Sequence, residues 1–214
     1  MTRPGGGVVL AVPIRGPCRV ENSPADRVPS HGTEMFGSSH AIDLVPVGDD
    51  GRSAPPRRRW ALRPEPPERF AGFGRPVLAP AAGEVVLVHD GEPDHEARRS
   101  IVTLIPYILG QRRRARRGPG ALAGNHLVIA MGPAGPYVLL AHLRRGSLRA
   151  APGGTVSVGE HVAGCGNSGN STEPHVHLQV SDSTDWPRAR GVPFVFARPY
   201  GTTWLPSSAD LVHG

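Results

Sequence analysis

The stretch Gly166-Asn-Ser-Gly-Asn-Ser-Thr-Glu-Pro-His-Val-His-Leu-Gln-Val180 decides how this chain is read. Its first half is turn chemistry, built from Gly, Asn and Ser and closed by Pro174. Its second half is an apolar, β-prone run in which His175 and His177 stand two apart. On a strand, residues i and i+2 point to the same face, so both imidazoles look into one place. Imidazole is the commonest metal ligand among side chains and the commonest general base near neutral pH. Two of them on a strand beside an open loop suggest a metal-assisted hydrolase. A packing role, with one ring buried and the other solvated, fits the same short pattern. The rest of the chain separates the two.

Outward from this stretch the chain repeats one motif: a short run of Val, Leu or Ile bounded by Gly, Pro or Asp. Such runs are 41–47 (AIDLVPV), 76–80 (PVLAP), 83–88 (GEVVLV), 125–131 (NHLVIAM), 137–143 (YVLLAHL) and 155–163. Val8 to Val12 adds a short edge-strand candidate near the start, followed by a loop. That pattern predicts a mainly β fold, an antiparallel sandwich or barrel. Residues 48–72, rich in Pro, Arg and acid, read as a surface loop. Residues 94–118 break the pattern with a polar start, an apolar middle and the run Arg112-Arg-Arg-Ala-Arg-Arg117. They read as a helix interrupted at Pro106 or as an excursion between strands. The arginine run is either a patch for an acidic polymer or a solvated flank.

At 214 residues the chain has room for one decorated domain with a real core. Gly 28 and Pro 24, against 38% hydrophobic residues, favour short strands and many turns over long helices. All 24 basic residues are Arg, and the net charge of +6 suits an anionic partner without choosing one. Cys18 and Cys165 give neither a disulfide framework nor a CxxC metal pair. No stretch approaches the roughly 20 apolar residues of a membrane span. The first twenty residues, broken by Pro4, Pro13 and Pro17, make a poor secretory signal.

Ten histidines exceed what packing asks of such a chain. His142 sits near the end of an apolar run, and there a satisfied core role competes with a functional one. Asp43 lies within Ala41-Ile-Asp-Leu-Val45, where a carboxylate is costly unless paired or bound to metal. His40 lies three residues before it and His31 twelve before it. A catalytic zinc takes three protein ligands and leaves a fourth position for water. One upstream histidine, Asp43 and one member of the HxH pair would complete that set. His89 and His95 flank an acidic turn that reads as exposed, or as a second metal site; His126 reads as surface or groove lining.

The segments His31-Gly-Thr, His40-Ala-Ile-Asp43, Pro76-Val-Leu-Ala-Pro-Ala-Ala-Gly-Glu-Val85, Gly124-Asn125, Ala141-His-Leu143 and Gly166 through His177 occur in one order. That order resembles the lysostaphin-type (LytM-like) zinc metalloendopeptidases of bacterial cell walls, in their actinobacterial form. The resemblance spans roughly residues 28–197. It implies a mainly β fold, an antiparallel sandwich or open barrel (the duplicated hybrid motif), with a loop or helical insertion at about 90–120. Residues 1–27 would then be a lead-in of edge strand and loop, 28–197 the catalytic domain and 198–214 a tail.

The resemblance implies hydrolysis of peptide stems or cross-links of peptidoglycan with Zn2+ as cofactor. It implies an extracellular or cell-wall location for which the chain shows no clear signal peptide. A monomer is expected, with anionic wall polymer as a further partner and no nucleic acid. Residue by residue, Asp43 and His177 match the family's metal ligands, and His142 and His175 match its two unliganded catalytic histidines. The usual place of the first metal histidine is held by Ser39, which cannot do that job. His31, set back by an inserted loop, is favoured as the first ligand; His40 is the alternative. The competing function is a catalytically silent domain of this fold that binds cell-wall peptide or regulates another hydrolase.

Overall fold

In the computed structural model, residues 7–56, 63–100, 102 and 118–214 are described. The arginine run 112–117 and the expected break at Pro106 lie outside the described residues. The fold is mainly β, as the alternation predicts. Its strands are β1 (Val8–Leu10), β2 (Pro17–Glu21), β3 (Ile42–Pro46), β4 (Pro76–Leu78), β5 (Gly83–His89), β6 (Asn125–Ala130) and β7 (Tyr137–Leu143). They continue with β8 (Thr155–Val156), β9 (His161–Gly164), β10 (Val176–Ser181), β11 (Phe194–Ala197), β12 (Thr203–Trp204) and β13 (Leu211–His213). A five-residue helix, α1 (Pro119–Ala123), leads into β6.

The main sheet has eight strands in the order β13-β2-β3-β10-β7-β6-β5-β8, every neighbouring pair antiparallel. Two smaller sheets accompany it: β1-β11-β12, in which β1 and β11 run parallel, and the pair β4-β9. The lead-in and the tail contribute strands. β2 pairs with β3 from Cys18 to Glu21, and β13 pairs with β2. The run expected at 155–163 divides in two, β8 on the main sheet and β9 on β4. Gly159, at φ 81, turns the chain between them, a conformation that costs glycine nothing.

The period of two sorts the side chains. Ile42 and Leu44 of β3, Leu127 and Ile129 of β6, Val138 and Leu140 of β7, and Val176, Leu178 and Val180 of β10 all enter one core. Each of these larger side chains contributes roughly 1.5–3 kcal/mol by leaving water. Cys18 and Cys165 are buried in that core as free thiols. Burial drives the Cys18 thiol up to about 12 despite nearby Arg75, so it behaves as a small apolar residue. The opposite face carries Asp43, Ala141, His177 and Gln179, with a small apolar floor of Val128, Leu139 and Ala141.

One irregularity decides what that face presents. β6 and β7 pair Leu127 with Leu140 and Asn125 with Leu143, so β7 spends one residue more than its partner. The extra residue is taken up at His142, whose φ is 61. Strict alternation would send His142 into the core beside Leu140; instead Leu140 and Leu143 are both core residues and His142 turns outward with Ala141. This is a β-bulge, a device that re-aims a side chain.

Candidate metal centre

Three hydrogen-bonded strands deliver the site. Asp43 on β3 lies directly opposite His177 on β10, and His177 lies opposite Ala141 on β7, next to the bulge. His175 precedes His177 by two on the same face. His31 arrives from a loop that ends in a 3-10 turn, Met35–His40, where Phe36 (φ 61) and Gly37 (φ 75) are left-handed. Among the described residues one group of metal-ligand side chains stands together: His31, Asp43 and His177, with ligand atoms all within 4.8 Å of one another. His142 and His175 stand beside it, their ring centroids 4.7 Å apart. All five line one cavity of about 520 Å³.

The hydrogen bonds fix where the ring protons sit. His142 Nδ1 donates to the Ser168 carbonyl at 2.9 Å, and His175 Nδ1 donates to the Glu173 carbonyl at 2.8 Å. A carbonyl only accepts, so in the neutral rings Nε2 keeps the lone pair. His177 is wired the other way. Gln179 Nε2 donates to the Phe36 carbonyl at 2.8 Å, which turns its Oε1 toward His177 Nε2 at 3.1 Å. In the neutral ring His177 Nε2 is therefore the donor and Nδ1 keeps the lone pair; in the charged ring both nitrogens donate.

His177 Nδ1 faces Asp43 Oδ1 at 2.9 Å, and His31 Nε2 faces Asp43 Oδ2 at 3.0 Å. Asp43 Oδ2 also accepts from Asn22 Nδ2 at 2.7 Å, and His175 Nε2 lies 3.6 Å from Oδ1. A lone pair cannot face a carboxylate oxygen at that range without a proton or a cation between them. Two imidazole nitrogens and one carboxylate oxygen are the donor set of a catalytic zinc with one open position. The residues present fit the metal.

Electrostatics follow from this crowding. Burial works to raise the Asp43 carboxyl, but the charges of His31 and His175 and bonds from His177 and His31 hold it well below the usual range. For His177 burial works downward, and Asp43, by bond and by charge, together with Gln179 overcomes it and raises the ring. His142 falls well below the ordinary histidine value, first through burial and then through repulsion from His175 and His177. It is a neutral base at neutral pH.

The other expected residues are placed as follows. His40 ends the 3-10 turn, its Nδ1 3.0 Å from the Ser39 hydroxyl, outside the group of three. His89 stacks on His126 with centroids 5.3 Å apart, and His95 Nε2 lies 3.0 Å from the Gly169 carbonyl. His126 is buried and lines the cavity. Asn22 and Gln179 escaped the sequence reading. Gln179 carried a signal, since it follows His177 by two; Asn22 carried none.

Residues 113–188 match the family model described as Peptidase family M23. Over this segment the chain is similar to peptidase family M23. The M23 match contains His142, His175 and His177, whereas His31 and Asp43 precede it. Similar solved structures include the catalytic domain of a mutant of the prophage-encoded M23 protein EnpA from Enterococcus faecalis, 17% identical over 90% of this chain and 92% of that one, TM-score 0.42. The catalytic domain of the antimicrobial peptidase lysostaphin from Staphylococcus simulans is 16% identical over 74% of this chain and 80% of that one, TM-score 0.40. A zinc containing peptidase from Vibrio cholerae is 20% identical over 71% of this chain and 45% of that one, TM-score 0.36. No curated protein matches the chain. Among the described residues no helix is long and apolar enough to cross a membrane.

Proposed function

We propose that the chain is a zinc-dependent endopeptidase that hydrolyses peptide bonds in peptidoglycan stems or cross-links. The observation that carries this reading is the wiring of four histidines around Asp43. One ring turns its Nδ1 toward the carboxylate, and two others are anchored by Nδ1 with Nε2 turned to the cavity. The M23 match supplies the reaction class. His31, Asp43 and His177 would hold the zinc. When bound, zinc polarises the scissile carbonyl and lowers the pKa of a water to near 7.

The rest is done by this chain's side chains. His175 Nε2, 3.6 Å from Asp43 Oδ1, takes the proton of the attacking water. Its other nitrogen is held by the Glu173 carbonyl and lies 3.0 Å from the Ser171 hydroxyl, so the ring cannot swing away. His142 Nε2, on a neutral ring, serves the leaving side of the same cavity as proton acceptor and then donor. Such proton transfers contribute typically 10²–10⁴-fold each. Leu139, Ala141, Leu122 and Trp186 give the cavity apolar walls that exclude water from the peptide. Zinc is the implied cofactor and peptidoglycan peptide the implied substrate, which places the work outside the cell or at its wall. A monomer suffices, since one chain supplies every donor.

The test is mass spectrometry of muropeptides incubated with the purified chain, with and without a chelator. Chelator-sensitive cleavage with about one zinc per chain supports the reading. A zinc-loaded chain that binds muropeptides and leaves them intact makes it a silent, peptide-binding domain instead.

A further inference from the structure

Gln179 lies on β10 two residues after His177 and on the same face, and only 3% of it is exposed. A buried amide has to be satisfied at both ends. Its nitrogen meets the Phe36 carbonyl at 2.8 Å and its oxygen meets His177 Nε2 at 3.1 Å. The reverse orientation would set the amide oxygen against a carbonyl oxygen, so the assignment is fixed by chemistry. With Oε1 toward it, His177 must carry its proton on Nε2. The other tautomer would leave an imidazole lone pair against the amide oxygen and an N–H against Asp43, with no ligand atom for a metal.

The second arm of the amide reaches a different part of the chain. Phe36 belongs to the loop that brings His31, and its φ of 61 is rare for an aromatic residue unless the surroundings hold it. The left-handed pair Phe36 and Gly37 turns the Phe36 carbonyl toward β10, where Gln179 takes it. A Cβ on Gly37 would come within 3.1 Å of the Ser181 Cβ, so the loop lies flat against that strand. His31 and His177 are 146 residues apart in sequence, and one buried side chain bridges their supports.

We infer that Gln179 is the positioning residue of the metal centre. It sets His177 in the tautomer whose Nδ1 binds the metal, and through the Phe36 carbonyl it docks the His31 loop at that same metal. The inference rests on the metallopeptidase reading and deepens it. The ring partner of a metal-bound histidine typically governs affinity by 10–100-fold.

The experiment uses the full chain and two variants. Gln179→Leu removes both arms; Gln179→Glu keeps an acceptor for His177 Nε2–H and loses the donor to Phe36. Zinc affinity is measured by competition with a chromophoric chelator, and ring ¹⁵N shifts of zinc-loaded protein report which nitrogen of His177 is bound. The expected result is a 10–100-fold weaker zinc in Q179L with loss of the single Nδ1-bound signature. Q179E keeps the signature and loses several-fold in affinity. Q179L with wild-type affinity and signature overturns the inference, even where its melting temperature drops. Should Q179L fail to fold, wild-type affinity in Q179E overturns it. A wild-type chain that binds no zinc overturns the metal-centre reading itself, which keeps the two failures apart.

Discussion

Replacing His142 by glycine should leave a more stable protein than replacing it by alanine. His142 sits at φ 61 where β7 takes one residue more than β6. The left-handed region costs an L-residue about 1–2 kcal/mol and costs glycine nothing. Glycine's larger freedom in the unfolded chain takes back about 0.5–1 kcal/mol. The net expectation is that H142G exceeds H142A by about 0.5–1 kcal/mol, or 1–4 °C in melting temperature for a chain of this size. Both variants lose the same imidazole and the same bond to the Ser168 carbonyl, so those losses cancel in the difference. In a regular strand the order is reversed, alanine leading by about 0.5–1 kcal/mol. Sign alone therefore decides. The assay is urea and thermal unfolding followed by circular dichroism, both variants in chelator so that bound metal does not enter. H142A equal to or more stable than H142G would mean that β7 is regular at this point and that His142 owes its outward direction to something else.

Three further outcomes are expected. His177→Ala should abolish stoichiometric zinc and with it cleavage, whereas His142→Ala and His175→Ala should keep zinc and lose about 10²–10⁴-fold in kcat; metal analysis beside muropeptide kinetics separates the classes. Gly169→Ala adds a Cβ 2.5 Å from the Leu122 carbonyl oxygen at φ 70, against backbone that does not yield. It should cost at least about 2 kcal/mol, read by urea unfolding, and disturb the neighbouring Ser168 carbonyl that holds His142. His126 is held below the ordinary histidine value by burial first and by the nearby His89, against a bond to the Gly124 carbonyl. A ring whose folded value is depressed contributes stability that is present above its unfolded value of about 6.5 and is lost as pH falls through the folded one. His126→Gln should flatten that part of the acid limb in pH-dependent urea midpoints; an unchanged limb would count against a neutral buried His126.

Much of the site was legible because β-strands keep a strict period. His175, His177 and Gln179 alternate with Val176, Leu178 and Val180, and Asp43 interrupts Ile42 and Leu44, so both faces could be read from residue type. Where the backbone departs from that period the text of the chain falls silent. Nothing in Ala141-His-Leu143 announces an extra residue, since the register shift is set by how β6 packs against β7. His31 could be weighed against His40 but not settled, because a loop with two left-handed residues has no period to count along. Asn22 was invisible for a further reason. Its contact to Asp43 depends on β2 lying beside β3, a pairing across 21 residues that no local pattern encodes. The division of 155–163 into β8 and β9 shows the same limit: Gly159 was readable as a turn, but the change of sheet that follows it was not.

The register that sets His177 opposite Asp43 joins residues separated by 134 positions. Closing so long a loop has to precede the pairing, and folds rich in such contacts form slowly. During synthesis from the N-terminus, His31 and Asp43 exist long before the strand that completes them. The donor set therefore assembles in one late event, when β10 inserts between β3 and β7. A growing chain holds His31 and Asp43 without His177, and the three side chains meet only in the finished sheet.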